Sequence, residues 1–367
     1  MAKTYIYCII LGILLLLFIN SCNNANVDNN YFKGDITEVN DLATSSDEVV
    51  LNVLELNGNN YGWPAVHDSL IIFFNPKLGE HFYQVFNIDT GNEIGHYCKR
   101  GNGPYEYSAL GPIHQLFTEN GDLKTLLFAP NESKIITWNI TKSISNKTTV
   151  IEKEYDYLWR KENAQICYDL IFRLNEDTIL AELRSGLTYN GEISLPKYQK
   201  RTLLSNKLVE EYTAYKKVID NDESIIIPEA LLFSFDALKP DGTMLAQAMS
   251  HLPQLNIINL KNNNIKGIRT EQSDGFRRFE KKDVSIKNYF TRIQADDDKI
   301  YVAYLGEDIS DSQTYALPKT IYIFNWEGEL LNTIKLNEGI REMWFDTIRK
   351  ILYITNPFTD NILYTKL

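Results

Sequence analysis

The sequence predicts an all-β fold: a six-bladed β-propeller of four-stranded antiparallel blades, its ring closed by a strand from the N-terminal region. Three observations predict it. The chain is dense in β-branched and aromatic residues, with 22 Tyr and 17 Phe, and its Gly and Pro fall between apolar runs rather than inside them. Six apolar runs recur, starting at residues 70, 123, 178, 243, 299 and 350. Most are followed by an apolar strand, a polar turn and a return strand, so that each unit holds two hairpins.

The runs are Leu70–Phe74, Leu123–Ala129, Thr178–Leu183, Thr243–Met249, Lys299–Leu305 and Lys350–Thr355. Four follow a polar lead suited to a tight turn: His67-Asp68-Ser69, Asn175-Glu176-Asp177, Pro240-Asp241-Gly242 and Asp296-Asp297-Asp298. The clearest second hairpins are Phe86–Ile94 and Phe324–Leu330; weaker ones are Trp138–Thr141, Leu204–Leu208 and Ile258–Asn262. A single blade cannot bury both faces of its sheet, so neighbours stack around an axis and the ring must close. The last unit is short, with Ile351–Thr355 and then Asn361–Thr365. Glu48–Leu56 is strand-like and is expected to complete it, which assigns the propeller to residues 45–367. A β-sandwich would show closer strand spacing without this long period.

Ahead of the propeller stand Met1-Ala2-Lys3, an apolar run from Tyr5 to Ile19, and then Asn20-Ser21-Cys22. A basic start followed by a short apolar run is a secretory signal peptide, and the run is too short to span a bilayer. Ile19-Asn20-Ser21-Cys22 resembles the bacterial lipobox, which implies cleavage between Ser21 and Cys22 and acylation of Cys22. Residues 1–21 are then the signal peptide. Residues 22–44 are expected to be the lipidated cysteine and a flexible tether, since Asn23–Asn30 has little apolar content. The expected location is the envelope of a Gram-negative bacterium, outer membrane rather than inner, with the bilayer as partner through Cys22.

Removing residues 1–21 leaves 36 Lys and Arg against 48 Asp and Glu, interspersed rather than blocked. That excludes the clustered basic surface that nucleic acid requires. Cys98 and Cys167 remain as thiols, free to pair or to be buried separately. Lys99 and Arg100 would lower the Cys98 pKa if the thiol were exposed.

The stretch Arg100-Gly101-Asn102-Gly103-Pro104-Tyr105-Glu106-Tyr107 resembles the G-x-G-P-x-E-[FY] signature of TolB-like six-bladed propeller lipoproteins of Bacteroides and relatives. The resemblance extends in layout over most of residues 45–367, although only this motif is specific. It implies a fold and a compartment and no catalytic residues. Read from the residues, the glycines and Pro104 build a structured crossing between blades. If the loop faces a ligand, Arg100, Asn102 and Glu106 are its polar contacts.

No other motif assigns chemistry. The loop lacks the Lys-Ser/Thr of a P-loop and the third glycine of a dinucleotide fold. The five His are scattered without zinc-site spacing, Asp296–Asp298 lacks the distal Glu of a calcium loop, and no G-x-S-x-G element is present. No cofactor or metal is expected. The sequence therefore suggests a binding or scaffold protein for a protein, peptide or glycan partner of the envelope. The alternative is a propeller lyase or hydrolase acting on a glycan or lactone at the axial channel.

Overall fold

The computed structural model describes residues 27–39, 46–58, 60–156, 168, 170–183, 195–217, 231–271, 273–280, 287–308, 316–356 and 361–367. Three short strands come first: β1 (Asp35–Glu38), β2 (Ser46–Val49) and β3 (Asn52–Leu54). Blade one is β4 (Trp63–His67), β5 (Leu70–Phe74), β6 (His81–Asn87) and β7 (Glu93–Lys99). Blade two is β8 (Phe117–Glu119), β9 (Asp122–Ala129), β10 (Lys134–Asn139) and β11 (Ile151–Asp156). Blade three is β12 (Ile171–Arg173), β13 (Thr178–Leu183), β14 (Lys197–Thr202) and β15 (Leu208–Tyr212). Blade four is β16 (Ser234–Leu238), β17 (Met244–Met249), β18 (Gln254–Asn259) and β19 (Ile265–Arg269). Blade five is β20 (Lys287–Ala295), β21 (Lys299–Asp308), β22 (Thr320–Asn325) and β23 (Leu330–Leu336). Blade six has β24 (Glu342–Asp346), β25 (Ile351–Thr355) and β26 (Ile362–Lys366), with β3 as its fourth strand.

The fold is a six-bladed propeller of antiparallel four-stranded blades. Each of the six apolar runs is the second strand of its blade. That strand has a neighbouring blade on both faces, so its side chains are buried in succession rather than in alternation, as in β5 and β25. Burial fades toward the rim, where the first four residues of β15 are exposed. The apolar cores lie between consecutive blades. Tyr83 of blade one packs on Trp138 of blade two at 4.9 Å, and Tyr301 of blade five stacks on Phe345 of blade six at 4.4 Å.

The ring closes as expected, through β3 pairing antiparallel with β26. Two side chains reinforce the seam: Trp344 Nε1 donates to the Val66 carbonyl at 2.8 Å, and Arg349 pairs with Asp68 and Asp89 of blade one. The closing strand is shorter than Glu48–Leu56, because β2 pairs instead with β23 of blade five, in parallel.

The expected tether needs correction. Within residues 22–44, a helical turn at 27–31 docks on the propeller and β1 adds a parallel fifth strand to β19 of blade four. The physical reason is that Tyr31 and Phe32 are buried beside Phe276 and Tyr215, a hold that the Asn-rich composition around them concealed. A second correction falls after Trp138, where a tight turn was expected and helix α1 (Ile140–Asn146) is found. Asn139 caps it by accepting the Lys142 N–H at 2.8 Å, and Trp138 Nε1 locks onto Ser143 Oγ at 2.9 Å. Leu204–Val218, whose residues read equally well as helix or as strand and turn, is turn and strand where it is described.

Candidate functional site

The first strands of the blades converge on the axis and leave a cavity of about 220 Å³. All six blades line it: Trp63 of β4, His114 just before β8, Leu170 just before β12, Asp236 of β16, Arg292 of β20 and Glu342 of β24. Phe235 and Trp344 add aromatic wall, and Gln294 adds an amide.

The charged groups of this channel are cross-braced. Arg292 donates to both carboxylate oxygens of Glu342, Nε to Oε2 at 2.6 Å and Nη2 to Oε1 at 2.5 Å, joining blades five and six. Its guanidinium also lies 5.0 Å from the Phe235 ring of blade four. Asp236 accepts Tyr198 Oη of blade three at 2.6 Å and Ser234 Oγ at 2.8 Å. Blades three to six are thus tied at the axis by polar contacts set among aromatic and apolar side chains. Such a surface offers ring faces for stacking and fixed hydrogen-bonding groups for orientation. At about 220 Å³ the cavity is below the roughly 300–1,000 Å³ of drug-sized sites, so it accepts one ring or side chain rather than a whole oligomer.

The loop singled out in sequence lies elsewhere, between the outer strand of blade one and the first strand of blade two. Arg100 Nε donates to the carbonyls of Leu78 and His81, and the guanidinium sits 3.9 Å over the Phe82 ring. Glu106 accepts Lys99 Nζ at 2.8 Å and the Gly103 N–H at 3.0 Å, and these bonds hold its carboxyl below the usual range, the Lys99 bond foremost. A Cβ on Gly101 would lie 2.0 Å from Glu106 Oε2, so the two glycines make room for this carboxylate. Arg100 is therefore bonded to blade one and Glu106 within the crossing, while Asn102 is exposed. None of the three lines the channel.

Cys98 is free and buried, and burial pushes its thiol well up, opposite to the effect expected of Lys99 and Arg100 on an exposed thiol. Asp297 and Asp298 are exposed in their turn, whereas Asp296 is not. It is buried, accepts the N–H groups of Asp298 and Lys299 from within its own turn, and lies 3.3 Å from Lys350 Nζ. Among the described residues, no three His, Cys, Asp or Glu side chains come together as a metal site. Ser21, Cys22 and Cys167 lie outside the described residues.

Sequence reasoning missed the channel residues. They share no motif and are scattered from Trp63 to Trp344. One signal marks several of them: Trp63, Asp236, Arg292 and Glu342 each lie one strand upstream of an apolar run, which is where a propeller places its axial strand.

No protein-family model and no curated protein matches the chain. Solved structures do share the fold. A Bacteroides fragilis protein described as exported superposes with a TM-score of 0.50 at 11% identity, over 90% of this chain and 98% of its own. A member of the DUF4221 family from Bacteroides vulgatus gives 0.50 at 12% identity, over 92% of this chain and 93% of its own.

Proposed function

We propose that this protein is a lipid-anchored extracytoplasmic binding protein that receives one terminal group of a peptide or glycan in its axial channel. The carrying observation is the pairing of the channel's charged groups. Glu342 is engaged by Arg292, and Asp236 by Tyr198 and Ser234, while the aromatic side chains of Trp63, Phe235 and Trp344 line the same channel. Carboxylates already committed to neighbours serve recognition better than proton transfer, which favours binding over the lyase or hydrolase alternative. The signal sequence with Cys22 supports export and anchoring, and the fold shared with a Bacteroides protein described as exported supports export alone.

Two measurements test the reading. Cells fed a radiolabelled fatty acid should label the wild type and not Cys22→Ala, which should leave the membrane fraction. Purified protein should show a saturable change in tryptophan fluorescence with one class among a panel of short peptides and oligosaccharides. Gln294→Trp, which fills the channel, should abolish that response without changing the far-ultraviolet spectrum. A response that survives the filled channel refutes the channel as the site.

A further inference from the structure

The propeller takes hold of the chain close behind Cys22. The Asp28 carboxylate accepts Arg269 Nη1 at 2.8 Å and the Phe276 N–H at 3.0 Å. Gly275, at φ +56°, sits where a Cβ would come within 2.3 Å of Asp28 Oδ1, so the partner loop is shaped around that carboxylate. Tyr31 stacks on Phe276 at 5.7 Å. The main chain adds Lys33 N–H to the Ala214 carbonyl at 2.9 Å and Lys216 N–H to the Tyr31 carbonyl at 2.7 Å. Only five residue steps separate Cys22 from Val27, and even fully extended they reach at most about 18 Å.

We infer that the seam between blades three and four, around residues 27–33 and 214–217, is the surface that faces and touches the bilayer. The inference rests on the lipid-anchor reading above. A leash this short holds the body beside the membrane and brings the seam to it first. Three lysines there can meet anionic headgroups. Lys33, Lys216 and Lys217 are all exposed around the docked segment, on a chain with net charge −11. The exposed acids nearby are Asp35 and Glu38 of β1, Asp274 beside Gly275, and Glu210 and Glu211 of β15; Glu210 accepts Tyr212 Oη, and Glu211 is engaged by Lys197 and Gln199. Strand β15, which leads into residues 214–217, shows Leu208 and Val209 to solvent at 43% and 52% exposure and adds apolar area on the same edge.

The test uses the full-length acylated protein in vesicles of phosphatidylethanolamine and phosphatidylglycerol, in a Cys167→Ser background. A nitroxide is attached in turn to Lys33→Cys, Lys217→Cys and, on the opposite blade one, Glu80→Cys. Collisions with a water-soluble nickel chelate should be at least about threefold fewer at 33 and 217 than at 80. Two seam positions keep the test open if one variant misfolds. Equal collision rates, or fewer at 80, overturn the inference when the mass of the N-terminal peptide shows acylated Cys22. A peptide without lipid instead refutes the anchor itself, and the inference with it.

Discussion

Asp28 and Arg269 meet at 2.8 Å in an ion pair whose side chains are 8% and 3% exposed, 241 residues apart in sequence. This pair fastens residues 27–38 to blade four. Removing one partner of a buried pair leaves the other charge uncompensated, at a cost of about 3–5 kcal/mol. Asp28→Ala should therefore lower the unfolding free energy by that order in urea denaturation. Adding Arg269→Met should recover part of the loss, because the stranded guanidinium is then gone. A single mutant as stable as the wild type would mean that the segment does not bind the blade.

Glu152 sets an acid limb on stability. Burial raises its pKa, but hydrogen bonds from Lys124, Lys142 and Asn139 outweigh burial and hold the carboxyl at about 2. A depressed folded-state pKa contributes stability that is fully present above the ordinary carboxylate range and is lost as pH falls through about 2. Glu152→Gln should melt below the wild type at pH 7, and the two curves should converge as pH drops from about 4.5 toward 2. A difference independent of pH across that range would exclude the linkage.

Asp28 also marks the limit of what was legible in the sequence. The repeat of apolar second strands was readable because a strand buried on both faces must be apolar throughout, as in Leu70–Phe74. The missing strand of blade six was readable from the short last unit. The docking of Asp28 was not, since a single carboxylate in an Asn-rich stretch carries no periodicity and its partners lie at Arg269 and Phe276. The channel was illegible for a related reason. Each blade supplies only a few side chains, and Arg292 and Glu342 meet only once the ring is built.

Arg292 and Glu342 should prove coupled. Their two-pronged contact at 2.5 and 2.6 Å needs a planar guanidinium, so Arg292→Lys should not restore it. A double-mutant cycle of Arg292→Ala and Glu342→Ala, measured by chemical denaturation, should give an interaction energy of about 1–3 kcal/mol. Strictly additive effects would show that the pair does not brace blades five and six.

Cys98 should be inert in the native protein. It is buried, and burial holds its thiol well above the usual range, so thiolate is scarce at neutral pH. In a Cys167→Ser background, iodoacetamide at pH 8 should leave Cys98 unmodified and should label it fully in denaturant, as read by peptide mass. Rapid native labelling would place the thiol at the surface.

Gly101 and Glu106 should be coupled through space rather than through backbone freedom alone. An alanine Cβ at 101 would lie 2.0 Å from Glu106 Oε2, and the carboxylate cannot move aside freely because it is held by Lys99 and the Gly103 N–H. Gly101→Ala should lower the melting temperature by about 2–4 °C. Glu106→Ala removes the obstructing group along with its two bonds. If the clash dominates, adding Gly101→Ala to Glu106→Ala should cost clearly less than Gly101→Ala alone. An equal cost in both backgrounds would assign the glycine to backbone conformation, here φ +155°, and would leave Glu106 no part in its selection.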